Sequence, residues 1–215
     1  MREHLKKTPY LLFMLVIPLL AKIYQLLNER AQKGVDISTP IDHAIPFLPI
    51  FIIPYILWYG YIFYYLVYFC FKDTTIYLKT LILIVVAEFI CYIIFFFFQT
   101  TVPRPTLVGN NLLTNLVQWI YTNDRPFNCF PSIHVLTTFA IMLASLLIKN
   151  KHLLNRLCIH ITGGFIIIST LFVKQHVISD MMGSMFLVTF LFGIIFERSY
   201  YRVPQKSETV YVKNK

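Results

Sequence analysis

Residues 80 to 99 read TLILIVVAEFICYIIFFFFQ, twenty positions with a single charge, Glu88. About twenty apolar residues at a helical rise of ~1.5 Å each cross the ~30 Å hydrocarbon core of a bilayer, so the stretch predicts a transmembrane helix. Working outward from it, five more apolar runs occur at 9 to 27, 48 to 71, 131 to 149, 157 to 173 and 176 to 196. Six spans use ~120 residues. The remainder of the 215 is too little for a second domain, so residues 1–215 read as one all-α polytopic membrane domain of six transmembrane helices, with 197–215 as a cytoplasmic tail.

The composition agrees. Hydrophobic residues make up 57%, aromatic residues 17% and charged residues 13%, against ~25% charged in an ordinary soluble domain. A net charge of +9 would suit a nucleic-acid partner, but the basic residues sit in the breaks between apolar runs, where they anchor spans at the membrane surface. The partner expected is the bilayer and not nucleic acid. Cys70, Cys91, Cys129 and Cys158 form no CxxC pair, so neither a disulfide framework nor a metal site is expected.

With the amino terminus inside, the segments 1 to 8, 72 to 79, 149 to 156 and the tail hold 13 Lys and Arg. The outer side holds Arg30, Lys33, Arg104, Arg125 and Lys174, with Lys22 ambiguous. The positive-inside rule then predicts both termini on the cytoplasmic side, and small inner loops without an organelle address lead to the expectation of a multi-pass protein of the cell membrane. The first run is read as a retained helix, since no small-x-small cleavage site follows it. A very tight hairpin is expected between the last two runs, which only Lys174 and Gln175 separate. Two outer segments are long enough for structure of their own: 28 to 47, expected to hold a short interfacial helix, and 100 to 130, with an amphipathic stretch from Leu112 to Tyr121.

Seven polar residues fall at outer span ends or in outer loops: Arg104, Arg125, Ser132, His134, Lys174, His176 and Asp180. Four positions apart on a helix, His176 and Asp180 share a face. The carboxylate then fixes the imidazole tautomer and leaves the other nitrogen as nucleophile or base, although an ion pair joining two helices has the same spacing. Pro131-Ser132-Ile133-His134 suits a helix start, where free N–H groups and a serine hydroxyl hold an anion and His134 donates a proton; a plain cap reads the same. Arg104 stands between Pro103 and Pro105, which stiffen the backbone behind a guanidinium suited to phosphate. Glu88 and His160, ionisable groups inside spans, are expected to make interhelical contacts.

The order Arg104-Pro105, Pro131-Ser132-x-His134, then Ser169 with His176-x-x-x-Asp180 resembles the type-2 phosphatidic acid phosphatase superfamily, whose pattern is K-x6-R-P, P-S-G-H and S-R-x5-H-x3-D. The resemblance covers a catalytic core of about 80 to 196 and implies an active site at the outer, extracytoplasmic ends of the core helices. It implies His176 as nucleophile, Asp180 as its partner, His134 as general acid, and Arg104 and Ser132 as phosphate ligands, with no cofactor or metal. The substrate implied is a lipid phosphate monoester or pyrophosphate. Three positions depart from the pattern: Phe97 replaces the first-motif lysine, Ile133 the glycine and Thr170 the arginine. Lys174 and Arg125 are the expected replacement cations. The relaxed motifs are similar to the branch with inositol phosphorylceramide synthases, so transfer to an alcohol is the alternative to hydrolysis. A haem protein or solute pathway using His134, His160 and His176 is the rival of another class, but gives no reason for Arg104, Ser132 or Asp180.

Overall fold

The computed structural model describes residues 2–149 and 152–200; Lys151, Arg202, Lys206, Lys213 and Lys215 of the inner charge count, and most of the expected tail, lie outside them. In chain order the helices are α1 (Arg2–Lys7), a 3-10 stretch (Thr8–Leu15), α2 (Val16–Arg30), α3 (Pro40–Ala44), a 3-10 turn (Pro49–Phe51), α4 (Ile52–Lys72), α5 (Thr74–Phe97), α6 (Leu112–Asn123), α7 (Ile133–Leu147), α8 (Leu153–Phe172) and α9 (Ile178–Tyr200). The fold is all-α and membrane-like. Five helical segments are long and apolar enough to cross a bilayer: Leu5–Arg30, Pro49–Lys72, Thr74–Phe97, Leu153–Phe172 and Ile178–Glu197. Their outer faces carry large apolar side chains such as Phe63, Phe89 and Phe186.

The fourth expected span is shorter than its apolar run. α7 has 15 residues, ~22 Å at ~1.5 Å per residue, against ~30 Å of hydrocarbon. Pro131 and Ser132 belong to the turn before it, and Ile148 is already extended. It packs against α4, α5, α8 and α9, so protein and not lipid surrounds most of it, and its length need not match the bilayer. The inner segment expected at 72 to 79 is also absent as a loop: Asp73 alone separates α4 from α5. Its carboxylate accepts from the N–H groups of Thr75 and Ile76 at 3.0 and 3.1 Å, so a side-chain cap lets α5 start six residues before the apolar run does. Glu88 meets the Tyr92 hydroxyl at 2.7 Å, and His160 Nδ1 the Arg156 carbonyl at 2.9 Å.

The outer segments fold over the bundle. α3 and α6 occupy the two stretches expected to be helical, and α6 packs on α4 and on the 3-10 turn at Pro49–Phe51. Strand β1 (Val35–Asp36) pairs in parallel with β2 (Thr100–Thr101), joining the two outer loops. Thr100 is buried, and its Oγ1 accepts from the N–H groups of Cys129 and Phe130 at 3.0 and 2.8 Å. The strand thus sets the backbone that leads into α7. Gly34 makes this junction possible, because a Cβ there would lie 2.8 Å from the Thr100 carbonyl carbon.

Gly34→Ala is expected to cost ~1–3 kcal/mol through overpacking against backbone. Gly60→Ala, in α4 with nothing within 4 Å of the added carbon, should be neutral or gain the ~0.5–1 kcal/mol of glycine's lost flexibility. Thermal unfolding in detergent checks both; equal melting temperatures for the two variants would contradict the account.

Candidate active site

The turn from α8 to α9 presents the first histidine. His176 lies just before α9 and not within it, because Lys174 takes a left-handed backbone, φ 53°, and the N–H groups of Gln175 and His176 both donate to the Thr170 carbonyl at 3.0 and 3.1 Å. The expected pairing survives this shift: His176 Nδ1 lies 3.1 Å from Asp180 Oδ2. That oxygen also accepts from the Val177 N–H at 3.0 Å, so Asp180 caps α9 as well as orienting the imidazole. With Nδ1 committed, Nε2 is left for a substrate.

Ser132 caps α7, its Oγ accepting from the Val135 N–H at 3.4 Å. One residue into the helix, His134 stacks on Tyr55 at 4.5 Å between centroids and lies 4.1 Å from Trp58. Trp58 is itself fixed by donating to Thr137 Oγ1 at 2.9 Å. The His134 and His176 rings are 6.1 Å apart, leaving room for a small group between them.

Arg104 donates to the carbonyls of Tyr121 and Asp124 at 3.2 and 2.8 Å and to Gln175 Oε1. Its guanidinium lies over the Tyr121 ring at 4.3 Å. It therefore closes the free end of α6 and points across to the α8–α9 turn. Asp124, whose carboxyl is enclosed although the residue keeps some surface, accepts from the Tyr24 hydroxyl at 2.8 Å. Burial holds that carboxyl above the ordinary carboxylate range, outweighing the Tyr24 hydrogen bond and the charges of Arg104 and His176.

Unpartnered polar atoms mark the centre. Among the described residues, buried side-chain nitrogens and oxygens without a hydrogen bond belong to Tyr55, Arg104, Asn128, His134, Gln175 and Asp180. Such atoms are rare in folded proteins and each requires a reason; here they gather around the two histidines. The donors among them include Arg104 Nε and Gln175 Nε2, a set suited to a tetrahedral anion.

Lys174 and Arg125, the expected replacement cations, are differently engaged. Lys174 Nζ donates to the carbonyls of Asp42 and Ile45 at 2.8 and 2.6 Å, strapping the α3 segment to the α8–α9 turn. Asp42 completes the strap, its Oδ1 accepting from the Ile178 N–H at 2.7 Å. Arg125 donates to the Glu29 carbonyl at 2.9 Å and lies over Phe127. Reading the sequence missed Gln175, Asp124, Tyr55 and Trp58; only Gln175 carried a local signal, its place directly before His176. It also missed that Cys129, His176 and Asp180 each bring a ligand atom within 4.8 Å of the others. Burial, with Asp180 and Asp124 nearby, pushes the Cys129 thiol well up, and the side chain packs with Val102 and Val177 as a small apolar group.

Two cavities meet at His176. An outer one of about 410 Å³ is lined by Ser38, His43, Arg104, Lys174 and His176 among others. A deeper one of about 860 Å³ is lined by His134, His176, Asp124 and Asn128 at one end and by apolar side chains of α2, α4 and α5 below.

The PAP2 superfamily profile matches residues 76–204. The chain belongs to the PAP2 superfamily. Members of this superfamily are in general phosphatases and phosphotransferases, and the match takes in Arg104, Ser132, His134, His176 and Asp180. Searches of curated proteins and of solved structures find no match to the chain.

The upward displacement of Asp124 has a testable sign. While protonated, the carboxyl leaves an incoming phosphate unopposed; as pH rises through its elevated value it ionises and repels the anion. kcat/KM is expected to fall on that alkaline limb, and Asp124→Asn should remove the limb while keeping activity at lower pH. A pH profile of the variant that keeps the parent's alkaline limb would exclude Asp124 as its source.

Proposed function

We propose that the chain dephosphorylates a lipid phosphate monoester or pyrophosphate through a phosphohistidine. The lone pair of His176 Nε2 attacks phosphorus as the bond to the lipid oxygen breaks, and His134 supplies the proton to that oxygen. Asp180 stabilises the imidazolium that forms. Water then attacks the phosphohistidine, returning its proton to His134 and releasing phosphate. Arg104 and the Ser132 hydroxyl at the start of α7 hold the phosphoryl oxygens, with the Gln175 amide beside them. Lys174 serves the same anion only by leaving its two carbonyl partners. No step asks for a metal ion.

The observation that carries this reading is the fixed His176–Asp180 pair at 3.1 Å facing His134, with buried donors left unpaired around them. The separate outer cavity that reaches His176 favours a second reading, transfer of the phosphoryl or phospho-headgroup to a polar alcohol, as in inositol phosphorylceramide synthases. Adding candidate alcohols and looking for a new phospholipid tells transfer from hydrolysis. The site is assigned to the extracytoplasmic side of a cell membrane, with both termini cytoplasmic.

Purified protein should release phosphate from a panel of lipid phosphates that includes phosphatidic acid, phosphatidylglycerol phosphate and undecaprenyl pyrophosphate. His176→Ala should abolish turnover and any acid-labile phosphoenzyme, and His134→Ala should slow release of the lipid alcohol by the ~10²–10⁴ of a lost general acid. Near-normal turnover by His176→Ala would overturn the assignment.

Sidedness is checked by labelling intact cells with an impermeant thiol reagent in a Cys158→Ser background. Asn115→Cys, exposed on α6, should react and His152→Cys should not; the reverse pattern would put the chemistry on the cytoplasmic face.

A further inference from the structure

Asn128 has no part in the steps above, yet its side chain is the least satisfied of the site. It is 2% exposed, and among the described residues neither its Nδ2 nor its Oδ1 meets a partner. A donor and an acceptor therefore stay unpaired whichever way the amide is turned. Burying a polar group without a partner costs more than an ordinary hydrogen bond returns, and a native structure keeps such a group where a role requires it.

The backbone is built to hold the amide there. Asn128 takes a left-handed conformation, φ 57°, which asparagine tolerates better than most side chains. Its N–H donates to the Thr100 carbonyl at 3.0 Å, and the next two N–H groups donate to Thr100 Oγ1 at 3.0 and 2.8 Å. The loop is fastened through its main chain, and the side chain is left in the wall of the larger cavity with Asp124, His134 and His176. One residue on, Cys129 brings its sulfur within 4.8 Å of ligand atoms of His176 and Asp180. Asn128 thus belongs to the end of the cavity where the histidines lie.

The pairing it lacks is chemically specific. Arg104 Nε and Gln175 Nε2 are donors and suit any phosphoryl oxygen. Asn128 Oδ1 is an acceptor, and a fully ionised phosphate offers it nothing, since all its oxygens are acceptors too. A phosphate that keeps one proton presents P–OH beside P–O⁻. That edge matches a carboxamide with two parallel hydrogen bonds: P–OH donates to Oδ1, and Nδ2 donates to P–O⁻. The charges agree as well. On the reading above Arg104 is the cation that meets the phosphate; a monoanion balances it, whereas a dianion leaves one charge uncompensated in a low-dielectric site.

We propose that Asn128 is a substrate-binding residue that selects the singly protonated, monoanionic form of a terminal phosphate. The inference rests on the phosphatase reading above. A phosphodiester has no P–OH and leaves Oδ1 unpaired, so the same amide accepts a monoester or the end of a pyrophosphate and disfavours the diester headgroups of the surrounding membrane.

Three probes with the same tail and the same charge isolate the hydroxyl: octyl phosphate, octyl sulfate and octyl methyl phosphate. At about pH 5 all three are monoanions, because a phosphate monoester loses its second proton only near ~6, and octyl phosphate alone carries an O–H. His176→Ala protein, which holds a substrate without turning it over, should bind octyl phosphate at least about tenfold more tightly than either of the others, the scale of one buried acceptor paired against the same acceptor left unpaired. Adding Asn128→Gly, which keeps the backbone because glycine adopts a positive φ freely, should remove the preference; Asn128→Ala takes its place should the glycine variant not fold. Equal affinity of His176→Ala for the three probes overturns the inference, and so does a preference for octyl phosphate that survives loss of the Asn128 amide. The expected preference together with no phosphate release by the parent protein keeps the Asn128 assignment and removes the phosphatase reading.

Discussion

The polar junction between the starts of α7 and α9 sets the position of both histidines. The Ser132 N–H donates to the Asp180 carbonyl at 3.4 Å, and the Ser184 hydroxyl lies between the Asp180 and Ser132 carbonyls, at 2.7 and 2.9 Å. All three residues are fully buried, at a depth where a lost backbone partner is not replaced by water. The stitch therefore holds in one geometry. His134 is two residues beyond Ser132 and His176 four residues before Asp180, so fixing one backbone junction fixes both imidazoles. The fold around the junction is consistent with that demand: α7 is short and enclosed, β2 locks the loop before it, and the Lys174–Asp42 strap holds the turn before α9.

Much of this was legible from residue order alone. Apolar runs located every long helix, since burial in lipid requires apolar side chains over a fixed length. Their ends were less legible, because polar residues capped by a neighbour can extend a helix past its apolar run, as Asp73 does for α5, and a turn can consume part of a run, as Pro131 and Ser132 do before α7. The pairing of His176 with Asp180 was readable because it is local. What joins the outer elements to one another was not: Arg104 finds Gln175 across 71 positions and Tyr24 finds Asp124 across 100, and no periodicity encodes such contacts. Lys174 was expected as a replacement cation, and its ammonium meets the Asp42 and Ile45 carbonyls instead; a sequence does not say which carbonyls an ammonium will meet.

The departures from the superfamily pattern acquire a physical sense from their surroundings. Phe97, where the pattern has lysine, is 81% exposed at the end of α5, so a cation at that position would face away from the histidines. Thr170, where the pattern has arginine, is fully buried and donates to the Ile167 carbonyl at 2.7 Å, in space that a guanidinium does not fit without repacking. Neither position carries a cation in this chain. If the proposed phosphate site is right, the demand for positive potential falls on Arg104.

On the reading proposed above, Arg104 is the cation that would meet the phosphate. Its hydrogen-bond partners are two backbone carbonyls and an amide oxygen, all neutral. The acid closest to it in function, Asp124, is pushed by burial toward its protonated form. Were Asp124 ionised, the pair would be internally neutral and the site would offer an incoming anion little net attraction; with Asp124 protonated, the full guanidinium charge remains. Inside a low-dielectric wall one uncompensated charge acts more strongly than several screened ones in water. On the reading proposed above, the enclosure that raises Asp124 also weakens its cancellation of the Arg104 charge that would meet a phosphate.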